Sequence, residues 1–182
     1  MATLFVDKID PQSGTSLEIG SSGDTITTAT GAKPSFLYPA FEAFLSSSQT
    51  VTDNVTTKIQ FNSEVFDTNS CYDNSTNYRF TPTVAGKYFV FSTLGSDTVS
   101  GANLDQISLF IYKNGSSISQ SKIDARGNTL GSFCTVNATM IVDMNGSSDY
   151  LEAFGQIDDT SGNPDFLGIN RITNFGAYRI GS

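Results

Sequence analysis

The sequence predicts an all-β protein, a β-sandwich or jelly roll of about eight to ten strands, and three observations carry that prediction. Apolar residues recur with a period of two over strand-length windows. Gly, Asn and Asp punctuate those windows where tight turns are needed. Charged residues make up only 15% of the 182-residue chain while aromatics make up 12%, with 14 Phe and 7 Tyr supplying the apolar bulk. A chain of this length can bury roughly 70% of its unfolded surface in one core.

The strands follow in order. Phe41, Ala43 and Leu45 alternate with other residues, as do Ile59 and Phe61, then Ile107, Leu109 and Ile111, then Val136, Ala138, Met140 and Val142, and finally Leu151 and Ala153. Asn114-Gly115 lies between residues 107–113 and 116–123, and Asn145-Gly146 between 135–144 and 150–157. Both dipeptides tolerate positive φ, so both are expected to close two-residue hairpins.

Several strands are apolar on both faces. Tyr88 and Val90 alternate with Phe89 and Phe91, Phe110 and Tyr112 back the 107–111 strand, and Phe154 backs Leu151 and Ala153. An antiparallel sandwich normally leaves one face of each sheet to water, and no helix is expected here to cover the other. Further copies of the chain are the expected cover. The candidate interface residues are Tyr88, Phe89, Phe91, Phe110, Tyr112, Phe154 and Tyr178.

Composition narrows the chemistry. With no His and no Trp, the chain lacks imidazole bases, histidine metal ligands and the largest aromatic sugar platform. The formal net charge of -8 is the wrong sign for binding phosphates or anionic lipid, so neither nucleic acid nor a membrane is an expected partner. A non-enzymatic protein is expected. Asp158, Asp159 and Asp165 form the one oxygen-rich cluster, a calcium candidate without the spacing of a helix-loop-helix calcium loop, competing with a plain solvated connection. No other cofactor is implied. Cys71 and Cys134 fit neither a zinc site nor a redox pair and are expected to stay reduced and buried. The first ten residues do not read as a secretion signal, so synthesis in a cytoplasm is expected, and the Asn-x-Ser/Thr triplets carry no glycosylation argument.

The chain divides into two regions by composition. Residues 1–33 hold few apolar side chains and an approximate repeat, in which Ser13-Gly14 precedes Leu17 and Ile19 and Ser22-Gly23 precedes Ile26. Pro34 and Pro39 then interrupt any ladder. Residues 36–182 form the expected jelly-roll domain, and 1–33 a strand-rich attachment segment or stalk.

The middle of the chain carries a motif. Phe61, Asp67, Tyr72, Phe80 and Gly86 are separated by five, four, seven and five residues, and Gly86 is followed by Lys87-Tyr88. This resembles the signature of the complement-1q globular head family, whose jelly roll is shared with the tumour necrosis factor superfamily. Phe80-Thr81-Pro82 through Gly86-Lys87-Tyr88 is similar to that family's turn into a central strand. Val90 stands where the family has Phe, with Phe91 or a one-residue strand shift as the two ways to restore the packing. Phe41-Glu42-Ala43 resembles the opening strand, Asp149-Tyr150-Leu151 a later segment, and Phe175-Gly176-Ala177 the closing strand.

The resemblance implies a homotrimer that binds proteins or surfaces through exposed loops, and in some relatives of the fold calcium near the trimer top. Residues 1–33 resemble leaders of bacteriophage fibre and other virion proteins. Together these imply a virion surface protein made in the host cytoplasm: the trimeric head of a fibre or spike that holds other virion proteins through residues 1–33 and contacts a host glycan or protein through loops 69–77, 96–103 and 158–170. A capsid decoration protein is the alternative, and a cellular complement-1q-like binding protein a further one.

Overall fold

The structure, a computed structural model, describes residues 39–98, 103–126, 133–160 and 162–181, with 21–23 and 25. Two compact units divide the chain, Met1–Phe36 and Leu37–Ser182. The attachment role expected for 1–33 falls almost wholly outside the described residues.

Among the described residues thirteen strands and no helix occur. The first are β1 (Ala40–Phe44), β2 (Gln49–Thr50), β3 (Thr57–Lys58), β4 (Ser63–Asp67), β5 (Tyr72–Asp73) and β6 (Arg79–Phe80). The long strands follow: β7 (Gly86–Asp97), β8 (Leu104–Lys113), β9 (Ser116–Asp124), β10 (Phe133–Met144) and β11 (Leu151–Asp159), then β12 (Asp165–Phe166) and β13 (Asn174–Gly181). The first sheet runs β4, β1, β13, β7, β10, with β12 beside the far end of β7 and β2 outside it. The second runs β5, β6, β11, β8, β9, with β3 also on β11. Every pairing is antiparallel.

The period of two sends one side chain set into the gap between the sheets. Phe41 and Ala43 of β1, Tyr88, Val90 and Leu94 of β7, and Ile107, Leu109 and Ile111 of β8 are buried there. Phe41 sits at the centre, stacked on Tyr72 at 4.6 Å and on Phe80 at 4.5 Å between ring centroids, with Phe175 edge-on at 5.0 Å. Each such side chain contributes about 1.5–3 kcal/mol by leaving water.

The motif residues converge on this cluster. Phe61, Tyr72, Phe80 and Tyr88 are all core side chains. Asp67 accepts a 2.8 Å hydrogen bond from the Tyr72 amide, and Tyr72 donates its hydroxyl to the Phe61 carbonyl at 3.2 Å. Tyr88 donates its hydroxyl to the Val84 carbonyl at 2.7 Å, closing the turn that leads into β7. Gly86 has φ 141°, and a Cβ there would collide with the Gly181 carbonyl and the Arg179 guanidinium, so only glycine fits. Val90 itself faces the core. Phe91 points the other way, its ring lying where a side chain at Gly176 would be, so neither restoration expected at position 90 occurs.

One of the two expected hairpins forms. Asn114 and Gly115, at φ 52° and 78°, join β8 to β9. Asn145-Gly146 does not close a hairpin, because β10 pairs with β7 in the first sheet and β11 with β8 in the second. There Asn145 Oδ1 collects the amides of Ser147, Ser148 and Asp149 at 2.9–3.0 Å, and the capped turn carries the chain across the sandwich. Cys71 is buried and Cys134 half-buried, and neither is in a disulfide.

Candidate interaction surfaces

No enclosed pocket lies among the described residues, so the places where this domain can meet another molecule are its faces and loops. The outward face of the first sheet is built from the alternate residues of β7, β10 and β13. Cross-strand register places Ile141 opposite Phe89, Phe89 opposite Tyr178, and Phe91 opposite Gly176. Phe89 lies 5.3 Å from Tyr178 and 6.4 Å from Phe91 between centroids. Toward the opposite edge, β4 brings Phe66 opposite Glu42 of β1. Exposure is high for apolar side chains: Ile141 59%, Ile180 48%, Tyr178 46% and Phe66 44%. Charge borders this strip in two places: Glu42 of β1 stands in register with Gly176, on the far side of it from Phe91, and at one end Lys87 reaches Asp143 at 2.6 Å.

The outward face of the second sheet has its own aromatics. Phe110 is opposite Phe154, and Tyr112 packs on Phe154 at 4.3 Å between centroids. These rings are half-buried rather than exposed. Lys58, carried alongside by β3, places Nζ 5.6 Å from the Phe154 ring centre and 2.5 Å from Glu152 Oε1, and also donates to the Asn77 carbonyl at 3.2 Å. Glu152 is only 6% exposed. Its burial is matched by an ammonium that shares the same small site. Gln156 donates to the Asn54 carbonyl at 3.0 Å and pins the edge of this face.

The seven candidate interface residues therefore separate three ways. Tyr88 is fully buried in the core and cannot contribute to an outer face. Phe89, Phe91 and Tyr178 share the first face, whereas Phe110, Tyr112 and Phe154 share the second, on the opposite side of the sandwich. Alternation signalled outward aromatics on each strand, but sheet membership decided which of them meet. Ile141 and Ile180 were missed, although the unbroken apolar run Met140-Ile141-Val142 marks a strand apolar on both sides.

The three loops also rearrange. Residues 99–102 and 161 lie outside the described residues; the described parts of 96–103 and 158–170 come together at one end of the sandwich, where the Leu167 amide donates to the carbonyl of Gly95, just before the first segment, at 2.9 Å and the Thr160 amide to the Asn103 carbonyl at 3.1 Å. Both carry buried anchors, Ser96, Thr98, Phe166 and Leu167, so neither is a loop exposed throughout. Residues 69–77 lie at the β5 edge of the second sheet. Asp73 there gathers the amides of Ser75, Thr76 and Asn77, which hold its carboxyl well below the usual carboxylate range.

Asp158, Asp159 and Asp165 do not assemble into a cation site. Asp158 lies on the second sheet, its carboxyl raised by partial burial and by Asp53 and Asp105. Asp159 Oδ1 accepts the Gly162 amide at 2.7 Å, and Asp165 belongs to the first sheet, paired with Thr50 and Asp97. Successive strand residues point to opposite faces, which separates the first two, and no group of three metal-ligating side chains occurs among the described residues.

No protein-family model matches this chain, and no curated protein matches it. Solved structures do. The tumour necrosis factor Eiger from S. frugiperda aligns with a TM-score of 0.58 at 10% identity, over 81% of this chain and 95% of that one. Murine APRIL at pH 5.0 aligns with a TM-score of 0.57 at 7% identity, over 79% of this chain and 99% of that one. At these identities the likeness concerns the path of the backbone. The two antiparallel sheets described above form a jelly roll like that of tumour necrosis factor proteins.

Proposed function

We propose that this chain is a non-enzymatic, homotrimeric binding head on a virion surface, the distal part of a fibre or spike that contacts the host. The observation that carries the reading is the outward face of the first sheet, where Ile141, Phe89, Phe91 and Tyr178 form one apolar strip. A strip of this kind is covered most economically by further copies, because a closed rotation buries the same patch on every subunit. The virion setting rests on the resemblance of residues 1–33 to fibre leaders, and those residues are the proposed attachment to other virion proteins. Host contact is assigned to the exposed parts of 69–77 and of the joined 96–103 and 158–170 loops, where binding residues concentrate on a rigid scaffold.

Light scattering on the purified chain tests the assembly, with a mass three times that of the monomer expected. A stable monomer at micromolar concentration would overturn it. For the host role, substituting Ser75, Thr76 and Asn163 together should leave assembly intact and reduce adsorption of particles to cells. Unchanged adsorption, with particles lacking the protein bursting more readily on osmotic shock, would replace attachment by capsid decoration.

A further inference from the structure

Two Asn-Gly steps that look alike in the sequence are treated differently by the fold. One carboxylate joins them. Asp149 accepts the Asn114 side-chain amide at 2.8 Å through Oδ1, while its Oδ2 takes the Asn145 backbone amide at 3.0 Å and the Lys113 ammonium at 2.8 Å. Lys113 also donates to the Asp143 carbonyl at 2.6 Å, and Asn114 Oδ1 accepts the Tyr150 amide at 2.9 Å. The β8–β9 turn is thereby clasped to the crossover between β10 and β11.

We propose that Asn114-Gly115 is a site of spontaneous deamidation whose product opens this clasp, and that Asn145-Gly146 is protected by its surroundings. In the reaction the Gly115 nitrogen bonds to Asn114 Cγ, the Cγ–Nδ2 bond breaks, and ammonia leaves with the proton given up by that nitrogen. Water then opens the cyclic imide to aspartate or isoaspartate, so the net change is gain of water and loss of ammonia.

Ring closure needs a backbone free to fold onto the side chain. At Gly115 there is room, since both turn residues are exposed and the only neighbour near a Cβ position is the Tyr150 hydroxyl at 3.6 Å, so that only the Asn114 hydrogen bonds to Tyr150 and Asp149 have to give. At Gly146 that position is filled by the backbone of Val84 and Ala85. Closure at Asn145 would also strip Oδ1 of three backbone amides, against the single Tyr150 amide held by Asn114 Oδ1. Deamidation at Asn114 preserves an acceptor for the Tyr150 amide but removes the donor to Asp149. Two carboxylates would then face each other across a former hydrogen bond, with the Lys113 ammonium already committed to one of them.

The test is peptide mapping by mass spectrometry of the native, full-length protein held in mildly alkaline buffer, following the gain of about one dalton at each step. The Asn114 peptide should convert several-fold faster than the Asn145 peptide in native protein, and the two should converge in urea. Equal native rates, or Asn145 converting first, would overturn the proposal. Asn114→Asp should lower the melting temperature, and adding Asp149→Asn should recover part of the loss by reversing donor and acceptor. A melting curve for Asn114→Asp unchanged from the parent would overturn the clasp.

Discussion

On the first sheet, Phe89, Phe91 and Tyr178 share their outward face with Ile141 and Ile180, whereas on the second, Phe110, Tyr112 and Phe154 share theirs with Lys58, Glu152 and Gln156. Each of these two groups holds three aromatic rings. The second caps one of its rings from within, because β3 places the Lys58 ammonium over Phe154 and the buried Glu152 fixes that ammonium. Among the described residues no strand lies above the first, and Ile141 and Tyr178 are left open. An outward aromatic is thus a docking signal only where the chain does not supply its own cover. A count of apolar positions cannot make that distinction.

The strongest way to break the comparison is to place a charge at the centre of the first face. Ile141→Asp should convert the proposed trimer to monomer while leaving the fold intact, because the side chain is exposed within a single copy, and burying that carboxylate in a contact costs several kcal/mol. Sedimentation velocity reads the outcome. A trimer that survives Ile141→Asp would move the contact off this face.

Two tyrosines of the core beneath both faces tie stability to pH. Burial pushes the Tyr88 hydroxyl up to about 12 and raises that of Tyr72 further, whereas an unperturbed tyrosine titrates near 10. Groups with a raised folded-state pKa contribute stability that is complete below the unfolded value and lost as pH climbs through the folded one. Stability is therefore expected to fall as pH rises from about 10 towards 12. Circular dichroism followed with tyrosinate absorbance checks it. Absorbance from both buried tyrosines well before loss of the β signal would contradict their neutral, enclosed state.

On the second face, Phe154→Ala should cost about 1–3 kcal/mol, less than a fully buried Phe, without changing the oligomeric mass. Removing the ring takes away the surface beneath the Lys58 ammonium and the aromatic pair with Tyr112. Chemical denaturation beside light scattering distinguishes the two consequences, and dissociation caused by Phe154→Ala would make the second face part of the contact. Smallest of all, Lys87→Ala breaks a solvent-exposed ion pair with Asp143 and should move stability by less than about 0.5 kcal/mol.

Much of the sandwich was legible because strand periodicity is local. Phe41, Val90, Ile107 and Ala153 face inward as their alternation requires, and Asn114-Gly115 turns where its positive φ values allow. The motif residues Phe61, Asp67, Tyr72, Phe80, Gly86 and Tyr88 were legible as a set, since each fills a core or turn position that tolerates few alternatives. Other features depended on partners distant in the chain. Asn145-Gly146 has the same local chemistry as Asn114-Gly115, yet β10 had already paired with β7 along its whole length, so the turn had to cross between sheets. Asp158, Asp159 and Asp165 are close in sequence but belong to strands of two sheets.

By itself, then, the sequence determined the all-β class, the inward residue set and the turn into the central strand, because backbone geometry over a few residues dictates them. Tertiary structure alone decided which outward aromatics meet, which one lies beneath the Lys58 ammonium, and which stay open beside Ile141. Those outcomes follow from sheet order, set by hydrogen bonds between segments far apart in the chain, and period-two patterning is identical for every order in which the strands could be laid.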